Sequence, residues 1–284
     1  MLSRIQRCRT LRRLNSLRSL ARPASRALTT APPTSHPALA SRTCLVTGGT
    51  RGIGLAIAQR FSASGAHCIL VGRNEQRLQE AVAEVEQASG REESNLVKTR
   101  GWLGDVGKWE WWDGMRQQMK DVDILVNAAG TAHSSLLVTT RAESIEEVIR
   151  TNLLGTIWGC KAVGREMVRR REGCIVNVAS LLGVKGGKGS VAYAASKAGV
   201  IGLTRSLALE LGPSNVRVNV VVPGYIATSM TKSMTPDARS QAVDAIPLNR
   251  FGRVDEVADA ALFLATNPYA NNCHLNLDGG LSAT

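Results

Sequence analysis

Three side chains between residues 180 and 197 have the types and the spacing for proton transfer to a carbonyl oxygen. Ser180 precedes Tyr193 by thirteen residues, and Lys197 follows Tyr193 by four. Four residues make about one helical turn, so the phenol and the ammonium are expected on one face of a helix. The ammonium favours the phenolate, and we expect it to lower the phenol pKa from about 10 toward neutral pH. Such a tyrosine can protonate a carbonyl oxygen while another group delivers hydride to the carbon.

A glycine-rich segment, TGGTRGIG at residues 47–54, indicates where the hydride comes from. Gly48, Gly52 and Gly54 follow an apolar strand pattern and open an amphipathic helix pattern. A strand–turn–helix unit of this kind presents backbone N–H groups and the positive end of a helix dipole to a pyrophosphate. The segment therefore predicts a nicotinamide-dinucleotide site. The alternative is a tight turn that binds no ligand.

The charges after the second strand pattern favour NADP(H) over NAD(H). An NAD site usually has an acidic residue at the end of this strand, where it binds the ribose 2′-hydroxyl. Here Gly72 stands at that position, and no acid occurs before Glu75. Arg51 and Arg73 could instead form charge-assisted bonds with a 2′-phosphate. The alternative is that both are solvated surface arginines.

The elements that must position these residues form a regular alternation from Thr43 onward. Nearly continuous apolar strand patterns are typical of a parallel sheet covered on both faces, and helical patterns between them indicate βαβ crossovers. The prediction is an α/β fold with a single Rossmann-type, doubly wound parallel sheet. Strand patterns lie at 43–48, 66–72, 122–130, 173–180, 216–224 and, more weakly, 273–280, and helical patterns lie at 54–65, 74–90, 143–171 and 192–212.

Charge divides the chain into two parts. The net charge is +12, yet residues 1–42 contain nine arginines and no acid, which leaves 26 basic and 23 acidic residues, or +3. A nearly neutral body argues against nucleic-acid binding, and no apolar run approaches the roughly 18 residues of a membrane span. Residues 1–40, rich in Arg, Leu and Ser, are typical of a mitochondrial transit peptide and linker, with a disordered basic arm as the alternative. A folded domain at 41–284 would then lie in the mitochondrial matrix.

Cysteines and tryptophans are two further residue types that could form a functional site. The six cysteines form no C-x-x-C pair and have no histidine at metal-ligand spacing, so we expect buried thiols, a reducing compartment and no metal. Four of the five tryptophans lie within residues 102–112. We expect them to pack in the core, and an exposed patch for a partner subunit is the alternative.

The motifs together resemble the short-chain dehydrogenase/reductase family over residues 41–284. The resemblance is carried by TGGTRGIG, NAAG, Ser180, YAASK and PGYIAT. Within the family, TNLLGTIWGCKA, RVNVVVPGYIATSMT, IPLNRFG and LDGG are most similar to 3-oxoacyl-[acyl-carrier-protein] reductases and related carbonyl reductases. The resemblance implies that Ser180 orients the substrate carbonyl, Tyr193 is the general acid, and Lys197 tunes the tyrosine and binds the nicotinamide ribose. It also implies that Asn152 holds a water in a proton relay.

The resemblance assigns cofactor contacts along the whole sheet edge. It places Asp105 and Val106 at the adenine, the segment 127–130 along the cofactor, and the loop 223–228 around the nicotinamide. The complete predicted cofactor-binding set is Gly48, Thr50, Arg51, Gly52, Ile53, Gly54, Arg73, Asp105, Val106, Asn127, Ala128, Gly130, Tyr193, Lys197, Pro223, Gly224, Ile226 and Thr228.

Two segments outside the cofactor motifs bear on the substrate and the partners. Residues 228–250 would form a substrate lid whose methionines, Met230 and Met234, suit an acyl chain, unless they only pack the lid onto the body. Three arginines, Arg169, Arg170 and Arg171, could dock an acidic acyl carrier protein or simply complement a helix C-terminus. The resemblance implies a tetramer of identical or different subunits.

Three functions remain open at this point. The first is NADPH-dependent reduction of a 3-oxoacyl thioester in mitochondrial type II fatty-acid synthesis. The second is broad reduction of quinones and other carbonyls. The third is a non-catalytic, cofactor-binding subunit of a hetero-oligomer, although a scaffold has no need of an intact Ser–Tyr–Lys set.

Overall fold

A parallel seven-stranded sheet organises the chain. The computed structural model describes residues 38–89, 98–232 and 234–284. The strands are β1 Thr43–Thr47, β2 His67–Gly72, β3 Thr99–Leu103, β4 Ile124–Asn127, β5 Gly173–Val178, β6 Val216–Pro223 and β7 His274–Leu277. Their spatial order is β3-β2-β1-β4-β5-β6-β7, with every neighbouring pair parallel. The order reverses between β1 and β4, which is where such a sheet opens a crevice for a ligand.

Helices occupy most of the connections. Glu75–Ala88 begins after Asn74, whose side chain accepts the N–H of Arg77 at 2.8 Å as an N-cap. A five-residue π-helix, Arg150–Leu154, lies between two of the α-helices. The α-helices are α1 Gly52–Ala63, α2 Glu75–Ala88, α3 Trp109–Gly114, α4 Ala142–Ile149, α5 Gly155–Arg170, α6 Leu182–Lys185, α7 Val191–Leu211, α8 Ser229–Lys232, α9 Pro236–Asp244 and α10 Val254–Thr266.

Alternate strand residues face two cores, one on each side of the sheet. On β1, Cys44 and Val46 pack in the core that includes α1, α2 and α10. Leu45 between them packs in the other core with residues of α3, α5 and α7. Successive side chains of a strand point to opposite faces, so both faces must be covered. This arrangement confirms the predicted doubly wound α/β fold.

Three elements differ from the sequence prediction. Strand β3 has no apolar run, because it is an edge strand in which only Thr99 is buried. The helical pattern at 143–171 is interrupted by the π-helix. Helix α10 is absent from the predicted set, although Val257, Ala261 and Leu264 recur at helical spacing and are fully buried. That spacing was the signal that could have identified α10.

The folded body begins slightly before the predicted boundary at residue 41. The predicted transit peptide and linker lie outside the described residues except for 38–40. Leu39 is buried, and its N–H donates to Ser64 O at 2.9 Å, so the folded body already includes residue 39.

Trp112 is fully buried and donates its indole N–H to Val106 O at 2.9 Å, which confirms core packing. The other three tryptophans of this cluster are partly buried against the same core.

The cysteines in the described ranges are free thiols. Cys44, Cys68, Cys160 and Cys174 are buried free thiols, and Cys273 is partly buried. Burial raises the thiol pKa to about 12 in Cys68 and in Cys160. In the part of the chain that the structure describes, no helix is both long and apolar enough to cross a membrane, and no three His, Cys, Asp or Glu side chains cluster as a metal site.

Candidate active site

A cleft of about 400 Å³ opens at the carboxyl edge of the sheet, where β1, β4, β5 and β6 end. The structure brings thirteen of the predicted site residues together in its walls. These are Arg51, Gly52, Ile53, Gly54, Ala128, Gly130, Ser180, Tyr193, Lys197, Pro223, Gly224, Ile226 and Thr228. The lining does not include the other seven predicted residues, namely Gly48, Thr50, Arg73, Asp105, Val106, Asn127 and Asn152.

The glycine turn after β1 approaches the segment after β4 closely. Gly48 has a φ of +64°, and a Cβ added there would lie 2.7 Å from Ala129 Cα. Thr47 Oγ1 accepts the N–H groups of Ala128 and Ala129, both at 3.2 Å. Thr47 was missed by the sequence analysis, although it is the first residue of the glycine motif.

Helix α1 presents its amino terminus to this cleft. Arg51 is its N-cap, has extended backbone angles and makes no side-chain cap hydrogen bond. The first N–H groups of the helix are therefore available, and together with the helix dipole they form an anion site suited to a pyrophosphate.

The region around the end of β2, here called the adenosine end, has a glycine where a larger side chain would contact Thr50. It comprises Thr50, Arg51, Gly72 and Arg73. A Cβ added at Gly72 would lie 2.5 Å from Thr50 Cγ2, so an aspartate there would require Thr50 to move. Arg73 is 57% exposed, and its Nη1 lies 3.6 Å from Glu147 Oε1 of α4. Among the described residues no carboxylate lines the cleft, so its walls fit the anionic pyrophosphate of a nicotinamide dinucleotide.

The two residues predicted to contact adenine form a tight turn after β3. Asp105 Oδ1 accepts the N–H of Gly107 at 2.9 Å. Val106 is buried, and its carbonyl accepts the Trp112 indole N–H. Both residues therefore hold the turn in place, and their contact with adenine stays a prediction.

The opposite region, here called the catalytic end, consists of Asn152, Ser180, Tyr193 and Lys197. Tyr193 and Lys197 lie one turn apart on α7, as predicted, and Lys197 Nζ is 5.8 Å from the Tyr193 ring centroid. The ammonium donates to Val178 O at 2.7 Å, which ties α7 to the end of β5. Ser180 follows β5, where its Oγ accepts the N–H of Leu182 at 3.2 Å, and its hydroxyl acts to lower the pKa of the Tyr193 phenol.

Burial dominates the titration of both groups on α7. It raises the pKa of Tyr193, and the hydrogen bond with Ser180 opposes the rise without reversing it. Burial lowers the pKa of Lys197 from 10.5 to about 8. The phenol pKa thus moves opposite to the direction expected from the ammonium alone, because desolvation of the phenolate is its largest cause. Tyr193 consequently keeps its proton at neutral pH, as a proton donor must.

Asn152 lies behind the cleft wall in the π-helix and is fully buried. Its Oδ1 accepts the N–H of Thr131 at 2.8 Å, and its Nδ2 donates to Thr131 O at 2.9 Å and Ser196 Oγ at 3.1 Å. Thr131 lines the cleft, so Asn152 fixes the backbone of that wall. π-helical turns of this kind are frequent at functional sites. Thr131 and Ser196 were missed by the sequence analysis, although they adjoin the NAAG and YAASK motifs.

The side chain of Asn127 supports the sheet. It is buried and donates to Asn177 Oδ1 at 2.9 Å, and Asn177 in turn donates to Thr204 Oγ1 at 2.9 Å. This series of bonds joins β4, β5 and α7. The neighbouring Ala128 and Gly130 are the residues of this segment that line the cleft.

The predicted lid contains α8 and α9. Met230 is 48% exposed and lines the cleft. Ala242 and Ile246 are buried in a small core with Phe251, and Met234 packs against that core. The packing interpretation therefore holds for Ala242, Ile246 and Met234, and contact of Met230 with an acyl chain stays a prediction.

Comparison with known proteins agrees with this geometry. The family model described as short chain dehydrogenase matches residues 42–239. A 3-oxoacyl-[acyl-carrier-protein] reductase of Rattus norvegicus is 41% identical over 243 residues, which cover 86% of this chain and 99% of the relative. Carbonyl reductase family member 4 of Xenopus laevis is 37% identical over 243 residues, covering 85% and 98%. A solved short chain dehydrogenase/reductase family protein superposes with a TM-score of 0.78 at 35% identity, covering 87% and 99%.

Proposed function

The chain belongs to the short-chain dehydrogenase/reductase family and is an oxidoreductase of CH–OH and C=O groups, and on that premise we propose that it reduces 3-oxoacyl thioesters with NADPH. The observation that carries the proposal is the meeting of Ser180, Tyr193 and Lys197 with the glycine turn in one cleft. A bound reduced nicotinamide would supply the hydride. The protein residues then have to orient the ketone and give its oxygen a proton.

Tyr193 is the proton donor in this proposal. Its raised pKa keeps the phenol protonated, and the Ser180 hydroxyl beside it can hydrogen-bond the same substrate oxygen. Two hydroxyl groups aimed at an oxygen on which charge develops stabilise the transition state. The Lys197 ammonium, with its pKa near 8, offsets the negative charge that remains on the phenol after transfer.

The choice of NADPH rests on the adenosine end. Arg51 and Arg73 are exposed there, and the carboxylate that an NAD site uses is missing at Gly72, where a larger side chain would require Thr50 to move. A guanidinium can bind a 2′-phosphate through paired, charge-assisted hydrogen bonds. These features support NADP(H) over NAD(H).

The substrate class is proposed from relatives and from the lid. Relatives named 3-oxoacyl-[acyl-carrier-protein] reductase match nearly their whole length. The exposed Met230 at the cleft provides an adaptable apolar surface for an acyl chain. A second candidate is a broad carbonyl or quinone reductase, which the carbonyl reductase relatives favour.

We further propose that the protein works in mitochondrial type II fatty-acid synthesis in the matrix. The acid-free, arginine-rich segment 1–40 supports this location. Microscopy of fluorescent fusions would test it, because the full chain should reach mitochondria and a fusion that lacks residues 1–40 should stay outside them. Identical distributions would contradict the proposal.

The proposed carrier-docking arginines are partly engaged in contacts with the protein. Arg170 donates to Lys120 O, and Arg171 donates to Pro213 O at 2.9 Å. Arg169 is 67% exposed and pairs with Glu166 at 2.8 Å, so it is the least constrained by backbone contacts. The triplet precedes β5 and lies at the amino edge of the sheet, whereas the cleft lies at the carboxyl edge. Docking there would therefore suit delivery to another subunit of the proposed tetramer.

The substrate proposal is tested by following NADPH oxidation by the full chain. Acetoacetyl thioester and a quinone are compared at matched concentrations, and NADH replaces NADPH in parallel. We expect higher kcat/KM with the thioester and with NADPH. Equal or faster quinone turnover would displace the thioester assignment, and a preference for NADH would contradict the cofactor assignment.

A further inference from the structure

The ion pair between Arg73 and Glu147 stands outside the proton-transfer residues. Arg73 directly follows β2, and Glu147 lies on the last turn of α4. Arg73 Nη1 and Glu147 Oε1 are 3.6 Å apart, with the side chains 57% and 44% exposed. Exposed pairs of this kind are weak and screened by salt, so the guanidinium can exchange this carboxylate for a stronger anion.

The two acidic residues Asp105 and Glu147 have different partners in the structure. Asp105 accepts the Gly107 N–H and belongs to the turn after β3. Arg150, one turn after Glu147, extends along that turn, since its Cγ lies 2.9 Å from where a Cβ of Gly107 would be. Within the described ranges, Glu147 is the acid that forms an ion pair with Arg73.

We propose that Glu147 is a specificity-determining residue that competes with the cofactor 2′-phosphate for Arg73. The inference rests on the proposed use of NADP(H). A 2′-phosphate that binds the guanidinium has to compete with the carboxylate, which already attracts Nη1. A ribose 2′-hydroxyl is neutral and does not compete for the charge. Glu147 therefore weakens NADP binding, leaves NAD binding unchanged, and limits how strongly the site discriminates between them.

The test measures binding of NADP⁺ and NAD⁺ to the full chain by isothermal titration calorimetry. Glu147→Gln keeps the shape of the side chain and removes its charge. We expect the Kd for NADP⁺ to fall about 2- to 5-fold, the range of exposed ion pairs, while the Kd for NAD⁺ stays the same. Glu146→Gln is the matched control, because it removes the same charge one residue away on the same helix, where no ion pair is formed within the described residues.

Arg73→Gln supplies the second arm. If Glu147 acts through Arg73, Glu147→Gln in the Arg73→Gln background should change the NADP⁺ Kd by less than roughly 1.5-fold. An unchanged or weaker NADP⁺ affinity in Glu147→Gln, an equal gain in Glu146→Gln, or a full gain without Arg73 would each overturn the inference. A wild-type chain that prefers NAD⁺ would instead overturn the proposed cofactor, and this inference with it. A wild-type preference for NADP⁺ with an unresponsive Glu147→Gln overturns the inference alone.

Discussion

At the catalytic end of the cleft, Asn152 and Lys197 are buried and hydrogen-bonded to the protein, and they support the half-buried Ser180 and Tyr193. The adenosine end is built instead from exposed arginines beside a glycine. Lys197 is buried with its ammonium on Val178 O, and Asn152 makes three hydrogen bonds. Arg51 and Arg73 are both exposed, and Arg73 has a single, solvent-accessible ion pair. The difference follows from the task of each end, since proton transfer requires fixed geometry and pKa values set by burial.

The contrast has a practical consequence for variants. Changes at the catalytic end should be large, insensitive to salt and partly expressed as lost stability. Changes at the adenosine end should be graded, salt-dependent and confined to cofactor affinity, because exposed charges interact through a screened medium. The following predictions test this division, beginning with the largest effect.

Tyr193→Phe should lower kcat about a thousandfold, since a positioned general acid contributes about 10²- to 10⁴-fold. NADPH affinity, measured by fluorescence titration, should stay the same. The matched control is Tyr225→Phe, which also removes one phenol hydroxyl. The Tyr225 ring stacks on Phe251, with the two ring centroids 5.3 Å apart. Intact turnover in Tyr193→Phe would remove the basis of the mechanism.

The burial of Lys197 should appear in the pH dependence of stability. Its pKa is lowered from 10.5 to about 8 in the folded chain. Below about pH 8 both folded and unfolded chains carry the ammonium, and the folded chain bears its desolvation. Between about pH 8 and 10.5 the unfolded chain binds more protons, so the free energy of unfolding rises with pH in that window, by on the order of 3 kcal/mol from this group.

Urea unfolding of the wild type and Lys197→Met across pH 7 to 10.5 measures this term. The unfolding free energy of the wild type minus that of Lys197→Met should rise across this window. The buried thiols, whose raised pKa values act in the opposite direction, contribute equally to both proteins and cancel in this difference. Parallel pH profiles for the two proteins would show that burial of this ammonium is not the cause.

Arg73→Asp should weaken NADPH binding about 10- to 100-fold, because a charged hydrogen bond is worth about 1.5–3 kcal/mol. NADH binding should change little, and the NADPH effect should shrink as salt rises. Arg100→Asp makes the same charge change on the neighbouring strand β3 and serves as control. Equal losses for both cofactors would assign Arg73 a structural role instead of a 2′-phosphate contact.

Ser196→Ala should give the smallest effect, about 1 to 2 kcal/mol of unfolding free energy. It removes the hydrogen bond that Ser196 Oγ accepts from Asn152 Nδ2 and the one that it donates to Tyr193 O. Ser206→Ala is matched to it on the same helix, where an exposed hydroxyl donates to Gly202 O at 3.3 Å. Chemical denaturation compares the two variants. Equal stabilities would mean that Asn152 does not depend on Ser196.

The sequence predicted much of the catalytic end because its determinants are local. The four-residue separation of Tyr193 and Lys197 fixes them on one helical face wherever that helix lies. The glycine turn is also local, since Gly48 requires its positive φ within the motif itself. Nearly continuous apolar strands likewise predicted a sheet covered on both faces.

Other features depend on contacts between residues distant in sequence, and only the tertiary structure decided them. Arg73 and Glu147 form an ion pair although they are 74 residues apart in the sequence. No local sequence pattern predicts this pair. The edge strand β3 escaped the apolar-run prediction because one neighbour strand and little burial suffice for it. The pKa of Tyr193 rises because desolvation depends on everything packed around the phenol, whereas the sequence revealed only the nearby ammonium.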